Sequence, residues 1–301
     1  MRAPSLRPAA FLFVALAAQT TTAQKTAPPS PAQTQAVASY LSAVEQHNRG
    51  RLAEAVDSFR RAAALDPNLS EAQAGLCVAA SKLHLHEEAL DACRRAVRLR
   101  PDSAPAHFNL GGLYISLGMH EQAVASLKEV LRLDAASVEA HSDLGAAYHK
   151  LGRVAEAIAH LKEAVRIRPD FSTGHGNLGV VYADTGRYEE AAASFRRALE
   201  LDPASAELHY RRGDACSRSG RRDEAVESFK QALRLKPDLA LAHYRLGLLY
   251  AEAGDKKAAL EQHRALQSHD PELATRLFRR IHQDKLVTTP GGASASGGKL
   301  P

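Results

Sequence analysis

The stretch VEAHSDLGAAYHKLGRVAEAIAHLKEAVRIRPDF, residues 138–171, decides the fold of this chain. Apolar residues recur in it with the spacing of an α-helix on both sides of Gly152: Leu144, Tyr148, Ile158, Leu161 and Val165. Glycine accepts the left-handed conformation that ends many helices, and Pro169, close to the end of the stretch, cannot continue a helix. The stretch therefore predicts a hairpin of two helices.

The hairpin pattern recurs through most of the chain. Six prolines are separated by multiples of 34 residues, and Ala135 occupies the one vacant point of that spacing: Pro67, Pro101, Pro169, Pro203, Pro237 and Pro271. With this residue at position 32 of each repeat, seven repeats fill residues 36–273 and begin at Ala36, Ser70, Ala104, Val138, Ser172, Ala206 and Ala240. An array of this kind buries its core between stacked neighbours.

Small residues mark the contact between the two predicted helices of a repeat. Position 20 is alanine in all seven repeats, and position 8 is glycine in five: Gly111, Gly145, Gly179, Gly213 and Gly247. Small residues allow antiparallel helices to approach within about 8–10 Å of each other. Position 15, at the predicted turn, is glycine in six repeats and His84 in the second.

This pattern resembles the tetratricopeptide repeat, which favours Trp, Leu, Gly, Tyr, Ala, Phe and Pro at positions 4, 7, 8, 11, 20, 24 and 32. The chain departs from it in having no Trp, in Arg212 at position 7 and in His263 at position 24. The resemblance covers about four fifths of the chain. It implies an all-α, right-handed solenoid of seven hairpins with a C-terminal capping helix and a concave groove.

The two ends of the chain differ from the repeats. Arg2 and Arg7 precede an apolar run from Ala9 to Ala18, a pattern typical of a secretory signal peptide. The run is shorter than the roughly 20 residues that a membrane helix needs, so no stable membrane span is expected. We expect a signal peptide over 1–23, a Pro-rich linker over 24–35, the repeats over 36–273, a solvating helix over 274–287 and a disordered tail over 288–301.

Such an N-terminus predicts export, to a periplasm or to the medium. A membrane anchor formed by an uncleaved signal is the alternative interpretation.

Composition and motif content argue against catalysis and against nucleic-acid binding. The formal net charge of +5 is only weakly basic. Position 25 is basic in every repeat, but in four repeats an acid lies three residues earlier, a spacing typical of ion pairs on a solvated helix face. No Gly-rich phosphate loop and no Ser-His-Asp arrangement is found in the sequence. We predict no enzyme activity, no cofactor and no nucleic-acid partner.

Histidine recurs at position 4 in five successive repeats: His107, His141, His175, His209 and His243. Equivalent residues of neighbouring repeats lie about 10 Å apart, whereas ligands of one metal ion lie about 2 Å from it. These histidines are therefore expected to fill the volume of the family's Trp, and no metal site is predicted.

The three cysteines are expected to be structural. Cys77 and Cys93 occupy positions 8 and 24 of the second repeat, about one turn out of register, so buried thiols are favoured and a disulfide is the alternative. Cys216 takes position 11 and is expected in the core.

Candidate binding residues lie on the face of the first helix that the resemblance places in the concave groove. Asparagine both donates to and accepts from a peptide backbone, aromatic rings receive apolar side chains, and arginine pairs with carboxylates. Positions 5, 6, 9 and 13 of the repeats supply the candidate peptide-binding set. It consists of Asn109, Asp143, Asn177, Arg211, Arg245, Phe108, Tyr210, Tyr244, Asp214 and Arg218.

The sequence thus predicts a non-catalytic scaffold that binds an extended peptide or a protein surface, with acidic residues of the partner facing the arginines. Two alternatives stay open. One is a structural or assembly role in an envelope complex, and the other is binding of a small anionic ligand at the arginine-rich end. The sequence fixes neither the identity of the partner nor the oligomeric state.

Overall fold

The computed structural model describes the backbone of residues 29–287 and the side chains of residues 29–282. These residues form fifteen α-helices, and the chain divides into two compact halves after Pro169. The predicted signal peptide (1–23) and the predicted tail (288–301) lie outside the described residues.

The N-terminal half, residues 29–169, contains four helix pairs. Its helices are α1 (Pro31–Asn48), α2 (Leu52–Leu65), α3 (Ser70–Lys82), α4 (His86–Leu99), α5 (Ala104–Ser116), α6 (His120–Leu133), α7 (Val138–Lys150) and α8 (Val154–Ile167).

The C-terminal half, residues 170–287, contains three further pairs and one last helix. Its helices are α9 (Ser172–Asp184), α10 (Tyr188–Leu201), α11 (Ala206–Arg218), α12 (Arg222–Leu235), α13 (Ala240–Glu252), α14 (Lys256–His269) and α15 (Pro271–Val287).

Within each half every helix packs against the helix that follows it, and several first helices of successive pairs also touch. In the N-terminal half α1 contacts α3, α3 contacts α5 and α5 contacts α7; in the C-terminal half α9 contacts α11. We call the first helices of the pairs in each half its inner row. Consecutive packing of hairpins confirms the predicted all-α solenoid.

The core of the third to sixth hairpins is a glycine at position 8 against a large side chain at position 24. A Cβ atom on Gly145 would lie 2.5 Å from Cγ of Leu161, and one on Gly213 would lie 2.8 Å from Cδ1 of Phe229. Both large side chains are fully buried. Position 8 has to be small because the partner side chain lies directly above the helix backbone.

The second hairpin fills the same contact with two cysteines. Cys77 and Cys93 form a disulfide, and their Cα atoms lie 5.0 Å apart, within the range that disulfides span. The interpretation as thiols was wrong because positions 8 and 24 face each other directly instead of lying one turn apart. Cys216 is a buried free cysteine, as predicted.

Two boundaries differ from the prediction. Helix α1 begins at Pro31, inside the predicted linker, because Ser30 and Gln33 form a reciprocal capping box. Helix α15 begins at Pro271, where Asp270 accepts a hydrogen bond from the backbone N–H of Leu273.

The departures from the repeat motif have local compensation. Arg212, at a position that is usually Leu, donates hydrogen bonds to Glu224 (2.8 Å) and Ser228 (3.1 Å) of α12. In the last pair His263 leaves position 24 polar, and Leu277 of α15 instead lies over Gly247. The capping helix therefore completes the core of the seventh hairpin.

The turn inside each hairpin requires a left-handed residue. Glycine provides it with φ between 72° and 80° in six pairs, whereas His84 adopts φ 58° in the second pair. A side chain in this conformation costs about 1–2 kcal/mol, which glycine avoids.

We predict that His84→Gly raises the free energy of unfolding by roughly 0.5–1 kcal/mol, since the relief of left-handed strain exceeds the added chain entropy. Urea denaturation measures it. The reverse change, Gly152→Ala, should lower stability, because nothing lies within 4 Å of the added Cβ and only the backbone conformation (φ 72°) opposes it. Equal stability of His84→Gly and the natural protein would contradict the prediction.

Two adjacent glycines of α5 should respond in opposite directions to alanine. A Cβ on Gly111 would lie 2.9 Å from Cγ of Leu127, so Gly111→Ala should lower the free energy of unfolding by about 1–3 kcal/mol. Nothing lies within 4 Å of a Cβ on Gly112, so Gly112→Ala should raise it by about 0.5–1 kcal/mol. Parallel urea titrations compare the pair, and changes of the same sign would refute the assigned contact.

Candidate functional site

The candidate residues lie on the inner row, partly exposed between the buried positions of their helices. In the C-terminal half Arg211 and Arg245 are partly exposed and Arg218 is exposed, while the neighbouring Gly213 and Leu246 are buried. This alternation leaves one side of the first helices accessible to a partner.

Asp214 joins two arginines of the C-terminal half. Its Oδ2 accepts a hydrogen bond of 2.8 Å from Nε of Arg218 on the same helix. Its Oδ1 lies 3.0 Å from Nη2 of Arg245 on α13, in an ion pair without hydrogen-bond geometry. One acid thus serves two guanidinium groups, and the group of three keeps one positive charge.

The other arginine contacts are also internal. Arg211 pairs with Glu207, one turn earlier on α11, at 2.6 Å. Arg218 donates a hydrogen bond of 3.1 Å to the hydroxyl of Tyr188 and lies over its ring at 5.4 Å. These contacts hold the arginines in place, and each guanidinium retains further N–H donors for a ligand.

Two aromatic candidates are partly occupied by the fold. The ring of Tyr210 lies 5.8 Å from that of Phe229, and Tyr244 packs against the apolar cluster built around Leu266 and Leu277. Both tyrosines remain partly exposed. They offer a partner the edge of a ring and a hydroxyl group, a smaller apolar surface than predicted.

The remaining candidates lie on three other helices. Phe108 and Asn109 are partly buried on α5, and Asp143 is partly buried on α7, all in the N-terminal half. Burial, and next the nearby Glu139, raise the pKa of Asp143 to about 7. Asn177 is partly buried on α9 of the C-terminal half. The cluster around Asp214 is the part of the predicted set that direct contacts bring together.

The histidines at position 4 bind the backbone. Nε2 of His107 lies 2.9 Å from the carbonyl oxygen of Pro101, and the same contact joins His141 to Ala135, His209 to Pro203 and His243 to Pro237. In each case the acceptor belongs to the position 32 residue before the hairpin. The histidines therefore bind the loop between two hairpins to the first helix of the next hairpin. This is a structural role, as the sequence analysis predicted.

His141 also forms a pair that the sequence analysis missed. Its Nδ1 lies 3.0 Å from Nδ1 of His160, which stacks on Tyr148. Burial, then the charges of His141 and Lys128, lower the pKa of His160. Because the folded chain disfavours the charged form of His160, the stability that its neutral ring contributes is lost as the pH falls below the usual range of histidine.

Some partners were readable from the sequence and others were not. Glu207 lies four residues before Arg211, a helical pair that spacing alone predicts. Tyr188 lies 30 residues from Arg218, and its role depends on how neighbouring hairpins stack.

Chemistry other than binding has little support in residues 29–282. No group of three or more His, Cys, Asp or Glu side chains in this part of the chain is placed to hold a metal ion. Burial raises the pKa of the Cys216 thiol, which disfavours the nucleophilic thiolate. None of the helices in the described range is long and apolar enough to cross a bilayer.

Family models match the repeats. A model described as tetratricopeptide repeat matches residues 177–237 and 210–274, and a model described as TPR repeat matches 111–152 and 147–186. Together they span residues 111–274, more than half of the chain, although they do not fix the number of repeats. No curated protein matches the chain significantly.

Solved structures share the fold. The crystal structure of MamA protein is 25% identical over 56% of this chain and 92% of that chain, with a TM-score of 0.51. YrrB, described as a TPR protein with an unusual peptide-binding site, is 24% identical over 62% of this chain and 96% of that chain, with a TM-score of 0.51. PilW, described as a type IV pilus biogenesis factor, is 21% identical over 67% and 94%, with a TM-score of 0.63.

Helical hairpins, the small-to-large contact of positions 8 and 24, the matching family models and these structural neighbours all lead to one assignment. The chain belongs to the tetratricopeptide repeat family.

Proposed function

We propose that the protein is a non-catalytic scaffold that binds an extended segment of a partner protein along its inner row. The repeat fold supports a role in protein interaction or assembly. The observation that carries the finer proposal is the cluster around Asp214, where Arg218 and Arg245 share one acid at 2.8 and 3.0 Å.

The charge of this surface selects the partner. Arg211, Arg218 and Arg245 face two acids, Glu207 and Asp214, so one positive charge is left for a ligand. A carboxylate of the partner binds guanidinium groups that the internal pairs already orient, so little side-chain entropy is lost on binding. The partner segment therefore carries an acidic side chain or a C-terminal carboxylate.

We further propose that the protein works outside the reducing cytosol. The disulfide between Cys77 and Cys93 joins α3 to α4 across 16 residues, and disulfides persist in oxidising compartments. The signal-like pattern of residues 1–23 supports the same location.

Replacing the two inner arginines should release the partner. We predict that the double variant Arg211→Gln, Arg245→Gln binds the captured partner about tenfold or more weakly, since each substitution removes a charged hydrogen bond to the partner. Capture from the envelope and secreted fractions of the source organism, followed by titration of the recovered partner, measures the loss.

The matched control is Arg264→Gln, which removes an exposed arginine of α14 away from the inner row. It should leave the affinity unchanged. Equal binding by the double variant and the control would show that these arginines do not bind the partner. Self-association of the purified protein in light scattering would favour an assembly role instead.

Export predicts a specific pattern of cysteine chemistry. Protein isolated from its source under thiol-blocking conditions should show Cys77 and Cys93 as one linked peptide, Cys216 as the alkylated control, and an N-terminus close to residue 24. Reduction should lower the free energy of unfolding by up to about 3 kcal/mol, because a loop of this length loses its constraint. Two blocked thiols together with an intact Met1 would contradict export.

A further inference from the structure

Asp143 is an acid without a partner on the inner row of the N-terminal half. Its side chain is partly buried in the middle of α7, and no hydrogen bond or ion pair joins it to any residue in the range 29–282. Glu139, the charged neighbour that acts on it, is bound by Arg168 at 2.8 Å. Asp143 is therefore the carboxylate of α7 that is left for an incoming cation.

The helices packed against α7 bring no cation into ion-pair distance of Asp143. Helix α5 has no Asp, Glu, Lys or Arg, and its His107 binds the carbonyl of Pro101. On α7 itself Lys150 lies about 10 Å away along the helix, next to His149. Nine of the ten titratable side chains of α6 and α8 are exposed or engaged elsewhere: Glu121, Lys128, Glu129, Arg132, Glu156, His160, Lys162, Glu163 and Arg166. The tenth, His120, is partly buried at the start of α6 and forms no ion pair with Asp143.

Apolar side chains are exposed on the inner row before α7. Val37 and Leu41 of α1 are 38% and 53% exposed, and they lie one turn apart on the same side of the helix. Partly exposed apolar residues continue the surface on α1, α3 and α5. We call the set Val37, Leu41, Val44, Val78, Phe108 and Ile115 the apolar row.

We propose that the inner row of the N-terminal half binds an extended partner segment whose apolar side chains cover the apolar row and whose single lysine or arginine pairs with Asp143. The proposal rests on the inner-row binding proposed above and adds the ligand chemistry for a different set of residues. Adjacent inner helices are spaced by about 10 Å, so the path from α1 to α7 takes about nine extended residues.

Binding of the cation moves a proton. With a pKa of about 7, Asp143 is half protonated at neutral pH, and its carboxyl proton leaves to the buffer when the ammonium group binds. The ammonium keeps its own protons, so charge balances as a new ion pair. Affinity for the basic segment should therefore rise about tenfold from pH 6 to pH 8.

Isothermal titration of the purified protein tests the proposal with two ten-residue peptides, long enough to reach from α1 to Asp143. One is acetylated, amidated and apolar with a terminal lysine, prepared with the lysine at either end, and the other has norleucine in place of lysine. At pH 8 we expect the lysine peptide to bind at least about tenfold more tightly than the norleucine peptide. At pH 7 its enthalpy in phosphate and in Tris should differ by the heat of about half a released proton.

Asp143→Asn should abolish both the proton release and the preference for lysine, and it keeps the shape of the side chain while removing its charge. Glu121→Gln, which removes an exposed acid of α6, is the matched control and should change neither. Equal affinities for the two peptides, binding of neither, or proton release that persists in Asp143→Asn would overturn the proposal. Partner capture that still depends on Arg211 and Arg245 would then show that only this inference is lost.

Discussion

A small residue beneath a large one across each hairpin is the contact on which the rest of the structure depends. Gly145 under Leu161 and Gly213 under Phe229 bring two helix backbones together and bury the large side chains completely. The second hairpin replaces this contact by the disulfide of Cys77 and Cys93. Because a different chemistry closes the same gap, the requirement is one of distance and volume. The capping helix obeys it as well, since Leu277 supplies the missing large side chain above Gly247.

The binding surface follows from the same constraint. Once positions 8 and 24 hold a hairpin together, the opposite side of the first helix contributes less to packing and can carry polar and apolar residues of varied kinds. In the C-terminal half it is cationic, with Arg218 and Arg245 oriented by Asp214. In the N-terminal half it carries the apolar row and Asp143, an acid with a raised pKa and no partner among the described residues. The two binding proposals therefore assign a different ligand chemistry to each half.

The sequence predicted what depends on periodicity. Helix pairs, their turns at Gly152 and its equivalents, and the buried alanines at position 20 all follow from the 34-residue spacing, because burial repeats with the chain. The sequence could not predict contacts that depend on how far each helix is rotated about its own axis. The register of Cys77 and Cys93, and the isolation of Asp143, depend on angles that spacing does not encode. The tyrosine partner of Arg218 lies on another hairpin, so only stacking reveals it.

The histidine at position 4 has a consequence for how such a chain changes over generations. Its acceptor is a backbone carbonyl, which Ala135 supplies as well as Pro101 does. The donor therefore recognises no side chain in the preceding hairpin. A duplicate of a hairpin that carries this histidine brings its own imidazole, and the hairpin before it offers a backbone carbonyl at position 32 whatever the residue there. The array can therefore grow by such hairpins without a matching change of side chain in the hairpin that precedes the insertion.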